Sequence, residues 1–333
     1  MSHRYGEHDH EHYERPRRRT RPRTKERPAH ADAVAGRVVT VDRGRYTVLV
    51  EADAADRTVT AMRARQLGRK AVVVGDVVQM VGDVTGDTGS LSRIVRVEPR
   101  RTVLRRTADD DDPVERVIVA NAEQLVVVTS LADPPPRPRL IDRCLVAAYD
   151  AGMEPVICLT KSDLASATEL IEDYEPLGVP MVVTGRDSDL DEVRARLQDR
   201  VSVLVGHSGV GKSTLVNALV PDAYRVTSHV NEATGRGRHT SSSAIVLALP
   251  FGGLIVDTPG IRSFGLAHVD PDSVLASFTD LAQAAASCPR GCMHAEGELE
   301  CALDIAVTDG RLDARRVASM RRVLSSRESH GGD

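Results

Sequence analysis

Between residues 36 and 97 short Val-rich runs alternate with turn-forming residues. The runs cover 36–41, 46–51, 58–65, 71–81 and 91–97, and Asp42-Arg43-Gly44, Gly68 and the Gly-rich stretch 82–89 separate them. Such spacing suits hairpin loops. Five short strands in about 65 residues predict a small β-barrel of the oligonucleotide-binding type. Residues 100–106 read as a linker. Beyond it, apolar strand-like runs at 124–129, 156–159, 181–184, 201–205, 244–249 and 254–256 alternate with helical patterns at 140–151, 190–197 and 214–220. This alternation predicts a mostly parallel sheet covered on both faces. From Pro271 the pattern is helical, interrupted by a Cys/His cluster. It ends in a helix over 313–327 with Val317, Met320 and Leu324 on one stripe. Arg315, Arg316, Arg321 and Arg322 lie off that stripe and are candidate RNA contacts.

Composition changes this picture little. The chain has 333 residues, 41% hydrophobic and 28% charged, enough for two or three globular domains. No apolar run approaches the ~20 residues that span a bilayer, and the N-terminus has no apolar secretory core. The expectation is a cytoplasmic monomer without membrane contact. Charge is segregated behind the net value of -4: residues 15–27 read RPRRRTRPRTKER, whereas 109–112 are all Asp. The basic segment has no apolar residues to fold around and is expected to be disordered, either a solubilising tail or a phosphate-binding arm. His3, His8, His10 and His12 belong to the same tail. The barrel segment holds a single aromatic, Tyr46, so contact with RNA would run through Arg63, Arg65, Arg69 and Lys70 rather than base stacking.

Three motifs carry nucleotide chemistry. Gly206-His207-Ser208-Gly209-Val210-Gly211-Lys212-Ser213 fits G-x4-G-K-[ST], entered by the apolar run VSVLV and followed from Thr214 by TLVNALV. Glycines let the backbone N–H groups wrap phosphates and the following helix adds its positive end. Lys212 is expected on the β- and γ-phosphates and Ser213 on Mg²⁺. Asp257-Thr258-Pro259-Gly260 follows a second apolar run; Asp257 would hold Mg²⁺ through water and Gly260 would offer its N–H to the γ-phosphate. Thr160-Lys161-Ser162-Asp163 occupies the place of the N-K-x-D of GTPases. Asp163 can accept both the ring N–H and the exocyclic amine of guanine, and Lys161 packs its stem on the base. Thr160 replaces the usual Asn and so removes an amide that helps fix base and loop. The guanine motif precedes the phosphate loop, the reverse of a standard GTPase, which requires circular permutation.

In these motifs the chain resembles the ribosome small-subunit-dependent GTPases, the RsgA or YjeQ family, from residue 34 to about residue 324. The resemblance rests on the barrel, on TKSD, GHSGVGKS and DTPG in that order, on Gly235-Arg236-Gly237-Arg238-His239-Thr240, and on the terminal cysteines. It implies binding to the 30S subunit and its rRNA late in maturation, with GTP hydrolysis stimulated by the ribosome and product release accompanying maturation. Residues 235–240 lie where the first switch belongs, with Thr240 a candidate Mg²⁺ ligand. Ras-like GTPases orient the attacking water with a Gln after D-x-x-G; here that position is Ile261, and His239 is the candidate replacement.

Cys288-x3-Cys292-x-His294-x6-Cys301 takes three of the five cysteines. In a cytosolic chain this spacing reads as metal binding, and three thiolates with an imidazole form a closed structural Zn²⁺ site, one per chain. Against the family pattern the first gap is one residue shorter and the last one longer, so Cys288 is the ligand that departs. Cys144 and Cys158 sit in apolar segments as core residues. The sequence therefore predicts a multidomain chain: a tail (1–33), an OB-like all-β barrel (34–99), a circularly permuted α/β P-loop GTPase domain (100–270) and an α-helical zinc-binding domain (271–333). Two other readings remain at this stage: a nucleotide-gated RNA-binding scaffold with little catalysis, and a permuted GTPase acting on the 50S subunit.

Overall fold

Alternation of buried and exposed side chains builds the first lobe of the computed structural model, which describes residues 30–51, 56–67, 72–106, 116–221, 244–258, 264, 266 and 269–326. The basic tail to residue 29, Arg69, Lys70, the acidic run 109–112, residues 235–240 with His239 and Thr240, and Gly260 and Ile261 lie outside the described residues. Strands β1 (Val34–Asp42), β2 (Arg45–Val50), β3 (Arg57–Arg63), β4 (Val77–Gly82) and β5 (Ser92–Val97) close a barrel in the order β1-β2-β3-β5-β4. The period of two in β2 sends Tyr46, Val48 and Val50 inward, where they meet Val38, Val59, Met80 and Ile94. Tyr46 is only 6% exposed; the barrel's aromatic serves its core.

Two sequence expectations fail at the barrel's exit. The strand expected at 71–81 begins only at Val77. The preceding residues are apolar for another reason: Val74 bridges Val119, and at Gly75 (φ 86°) Ala120 O occupies the position of a Cβ, 2.0 Å away. The expected linker at 100–106 is half of a ribbon, β6 (Val103–Arg106) paired antiparallel with β7 (Arg116–Ala120). The fully buried Asp76 accepts from Arg100 Nε at 2.7 Å and Nη2 at 2.9 Å, and from Val73 N at 2.8 Å. Asn121 adds a bond from Nδ2 to Gly75 O at 3.0 Å. Backbone and charge together tie the barrel's exit to the ribbon.

Parallel strands β8 (Gln124–Ser130), β9 (Glu154–Thr160), β10 (Met181–Val183), β11 (Val201–Val205) and β13 (Leu254–Asp257), with antiparallel β12 (Ile245–Ala248), form a sheet of order β10-β9-β8-β11-β13-β12. Helix α1 (Pro138–Asp150) covers one face; α3 (Asp191–Leu197) and α4 (Lys212–Leu219) cover the other. Helix α2 (Thr168–Tyr174) escaped the sequence reading because only Leu170 and Tyr174 of it are buried.

Helices α5 (Pro271–Leu275), α6 (Thr279–Ala285), α7 (Ala302–Thr308) and α8 (Ala314–Ser325) share one core with the α1 face of the sheet. Asp313 caps α8, accepting from Arg315 N at 2.7 Å. The arginines expected on RNA also make bonds within the protein. Arg316 forks onto Asp280 at 2.6 and 2.8 Å, and Arg315 donates to Glu172 O at 3.1 Å. Arg322 stacks 4.7 Å over Tyr174 and faces Asp142 at 3.3 Å. Burial pushes the Asp142 carboxyl above its usual range despite that cation. Among the described residues no helix is long and apolar enough to cross a membrane.

Candidate nucleotide site and metal centre

The ends of β8, β9, β10, β11 and β13 point the same way, so the loops leaving them gather along the carboxyl edge of the sheet, where open α/β folds bind ligands. The loop after β11 is shaped by glycine. Gly206 lies against β8, where a Cβ would meet Val128 O at 2.3 Å, and Gly209 and Gly211 take φ of 84° and 93°. Gly211 precedes α4, and no side chain caps that helix. Its first N–H groups are therefore available to an anion. Val210 is buried, whereas Ser208, Ser213 and Thr214 are exposed. His207 turns toward its own loop, with Nδ1 2.9 Å from Ser208 O. Lys212 Nζ, at the first position of α4, pairs with Asp257 at the end of β13. Thr258 closes that strand end by donating to Leu204 O at 2.8 Å.

The motif from β9 meets this loop directly. Thr160 is buried, and its hydroxyl lies 2.6 Å from Val210 O and 3.2 Å from Thr129 O. A hydroxyl carries one proton, and the shorter contact is to the phosphate loop. Where an Asn amide would help fix base and loop, the Thr160 hydroxyl supplies a donor to the loop. Lys161 takes φ 61° and donates from Nζ to Asp133 O. Ser162 N donates to Thr184 O at 3.2 Å, and Asp163 Oδ1 accepts from Arg186 N at 3.0 Å.

That last contact reveals a loop the sequence reading missed, residues 184–188 beyond β10. At Gly185 a Cβ would fall 2.9 Å from Ser162 Oγ, 3.0 Å from Asp163 Oδ1 and 3.2 Å from Ser188 Oγ. No fixed motif spacing marks this loop. The available signal was its position at the carboxyl end of the neighbouring parallel strand.

In the C-terminal lobe the four expected ligands converge. One donor atom each from Cys288, Cys292, His294 and Cys301 all lie within 4.8 Å of one another. Tetrahedral bonds of about 2.3 Å to sulfur and about 2.05 Å to nitrogen put S and N about 3.6 Å apart. Cys288 Sγ and Cys292 Sγ lie 3.6 and 3.5 Å from His294 Nδ1, so the donor set is compatible with zinc. Cys288 also accepts from Ala302 N at 3.2 Å, and Asp272 Oδ1 stands 3.7 Å from the far nitrogen of His294. Such contacts orient metal ligands. Arg321 is a further missed residue. It donates to His294 O at 2.8 Å, to Cys301 Sγ at 3.6 Å and to both Asp304 oxygens at 2.8 and 2.9 Å. Its guanidinium holds the Asp304 carboxyl below the usual range.

Comparison with known proteins agrees with this geometry. The family model for RsgA GTPase matches residues 97–267. The small ribosomal subunit biogenesis GTPase RsgA of Pseudomonas aeruginosa is 38% identical over 290 residues, 84% of this chain and 83% of that protein. Its namesake from Chlorobaculum parvum is 36% identical over 280 residues, 81% of this chain and 90% of that one. Among solved structures, YloQ, described as a circularly permuted GTPase, shares the fold with a TM-score of 0.66 at 23% identity, covering 92% of this chain and 99% of its own. YjeQ from Thermotoga maritima also gives 0.66, at 26% identity, covering 89% and 99%. Matched by the family model over more than half its length and 38% identical to a relative over 84% of its own length, the chain belongs to the RsgA GTPase family.

Proposed function

We infer that the protein hydrolyses GTP on the small ribosomal subunit, assists that subunit's late maturation, and is stimulated by the ribosome it binds. The observation that carries this reading is the bond from Thr160 to Val210 O. It joins a guanine motif and a phosphate loop that the chain presents in reversed order. The ribosomal partner comes from the relatives, which are small ribosomal subunit biogenesis GTPases.

In this reading the amides of residues 206–214 surround the phosphates, while Asp163 and Lys161 hold the base. Lys212, which pairs with Asp257, would reach the phosphates, and Asp257, Ser213 and Thr240 would hold Mg²⁺, which would neutralise charge on the phosphate oxygens. Gly260 offers its N–H to the γ-phosphate, and His239 orients the attacking water in place of the missing Gln. One Zn²⁺ on Cys288, Cys292, His294 and Cys301 fixes the C-terminal lobe. RNA contact falls to the barrel's exposed arginines. Arg45 and Arg93 flank Met62 in register across β2, β3 and β5, with Arg63 and Arg65 beside them.

Multiple-turnover GTP hydrolysis with and without purified 30S subunits tests the reading. Stimulation by 30S of at least about tenfold is expected, since groups completed in trans can contribute far more than that. His239→Ala should lose most of it. Stimulation by 50S alone points to the large subunit, and binding without turnover points to a nucleotide-gated scaffold; either result overturns the proposal. Within the site, Thr160→Val removes one hydroxyl at nearly constant volume and leaves Val210 O without that donor. GDP affinity, measured by titration calorimetry, should fall about three- to tenfold, the net worth of one hydrogen bond.

A further inference from the structure

Guanine presents an acceptor, O6, beside two donors, N1–H and the 2-amine. An ionised carboxylate only accepts, so Asp163 can serve the two donors but not O6. The oxygen needs an N–H next to Asp163. The loop after β10 brings backbone beside that carboxylate: Arg186 N lies 3.0 Å from Asp163 Oδ1, and Gly185, the residue before it, is close enough that a Cβ there would sit 3.0 Å from the same atom. Any side chain at 185 would also press on Ser162 Oγ at 2.9 Å. Glycine keeps this corner open to an incoming ring.

Both amides are already engaged. Arg186 N–H donates to Asp163 itself, and Gly185 N–H donates to Ser188 Oγ at 2.7 Å. The second bond is built into the loop by the turn that returns Ser188 N to Gly185 O at 3.5 Å. A serine hydroxyl oxygen here offers the Gly185 amide the same kind of acceptor that a 6-oxo group would.

We propose that Ser188 is a placeholder for purine O6, a specificity-determining residue that a 6-oxopurine nucleotide must displace in order to bind. The proposal rests on the guanine-nucleotide reading above and names a regulating group within it. By accepting from Gly185 N–H, the Ser188 hydroxyl competes with the base for one donor. With that hydroxyl removed, only water competes, and an intramolecular hydrogen bond exceeds its water counterpart by an amount equivalent to about three- to tenfold in affinity. Ser188→Ala therefore tightens binding of 6-oxopurine nucleotides by that factor, whereas Ser188→Thr, which keeps the hydroxyl, does not.

The test is a titration of the full chain, wild type and both variants, with three diphosphates. GDP carries O6 and the 2-amine, IDP carries O6 alone, and 6-thioguanosine diphosphate keeps N1–H and the 2-amine but has sulfur, a much weaker acceptor, in place of O6. The expected result is equal tightening of GDP and IDP by Ser188→Ala, little or no tightening of the 6-thio nucleotide, and wild-type behaviour for Ser188→Thr. A merely structural role would move all three ligands together, so uniform tightening, uniform weakening or no change overturns the placeholder. Wild-type protein that fails to bind GDP in the same titration overturns the guanine reading as well. Wild type that binds GDP beside an unresponsive Ser188→Ala removes this inference alone.

Discussion

Lys212→Ala is expected to lower single-turnover GTP hydrolysis by at least about a hundredfold while leaving the fold intact. A positioned donor aimed at charge that develops in the transition state is worth about 10²–10³ in rate, and Lys212 is the cation at the head of α4, beside the uncapped amides. Its side chain is 13% exposed and pairs with an Asp257 side chain that is 31% exposed. The pair is mostly enclosed, but Asp257, the group left behind, keeps about a third of its side chain in solvent, so removing Lys212 costs only modest stability. α4 is held instead by Leu215, Val216 and Leu219, all buried against the sheet. Activity and stability should therefore separate: turnover collapses and the melting temperature moves by only a degree or two, roughly what a sub-kcal/mol change gives in a domain of this size. Lys212→Arg should fail to restore turnover, because a planar fork does not replace a compact ammonium between phosphate oxygens. Hydrolysis by Lys212→Ala within threefold of wild type would show that the loop is not the phosphate cradle.

Features that depend on neighbours in sequence were legible, and those that depend on distant partners were not. The phosphate loop, the motif ending in Asp163 and the cysteine cluster are each set by local spacing, and the structure brings each together. The barrel was legible from short runs and turns. Its fourth strand was misplaced because Val72 and Val74 are apolar for reasons outside the strand: Val72 packs in the barrel core and Val74 reaches Val119. β6 passed for a linker because its partner β7 lies across the acidic segment. The arginines of α8 show the same limit. Their charge is plain in sequence, but Asp280, Tyr174 and the carbonyl of His294 are brought to them only by folding. Thr160 is the opposite case. By residue type it removes an amide, yet its position under Val210 lets a shorter side chain make the tether.

Cys301→Ser is expected to release the metal and melt the C-terminal lobe, with a drop of ten degrees or more in its melting temperature, as a loss of several kcal/mol produces in a domain of this size. Helices α5, α6, α7 and α8 have 5, 7, 7 and 12 residues, and helices below about 12–15 residues are marginal on their own. Packing must hold them, and Cys301 sits where packing and ligation coincide. It is 1% exposed, lies in the same core as Leu303, Val317 and Met320, and accepts from Arg321. Structural zinc contributes about 10–16 kcal/mol in small domains, comparable with the whole stability of a typical domain. Loss of one thiolate should therefore be felt through the lobe and into the α1 face of the sheet, which shares that core. Cys288 is only half-buried, and Cys288→Ser should release metal with a smaller loss of melting temperature. Metal content by colorimetric chelation and unfolding by calorimetry measure the two effects separately. A Cys301→Ser protein that keeps one zinc per chain and the wild-type melting temperature would show that the four side chains come together without forming the site.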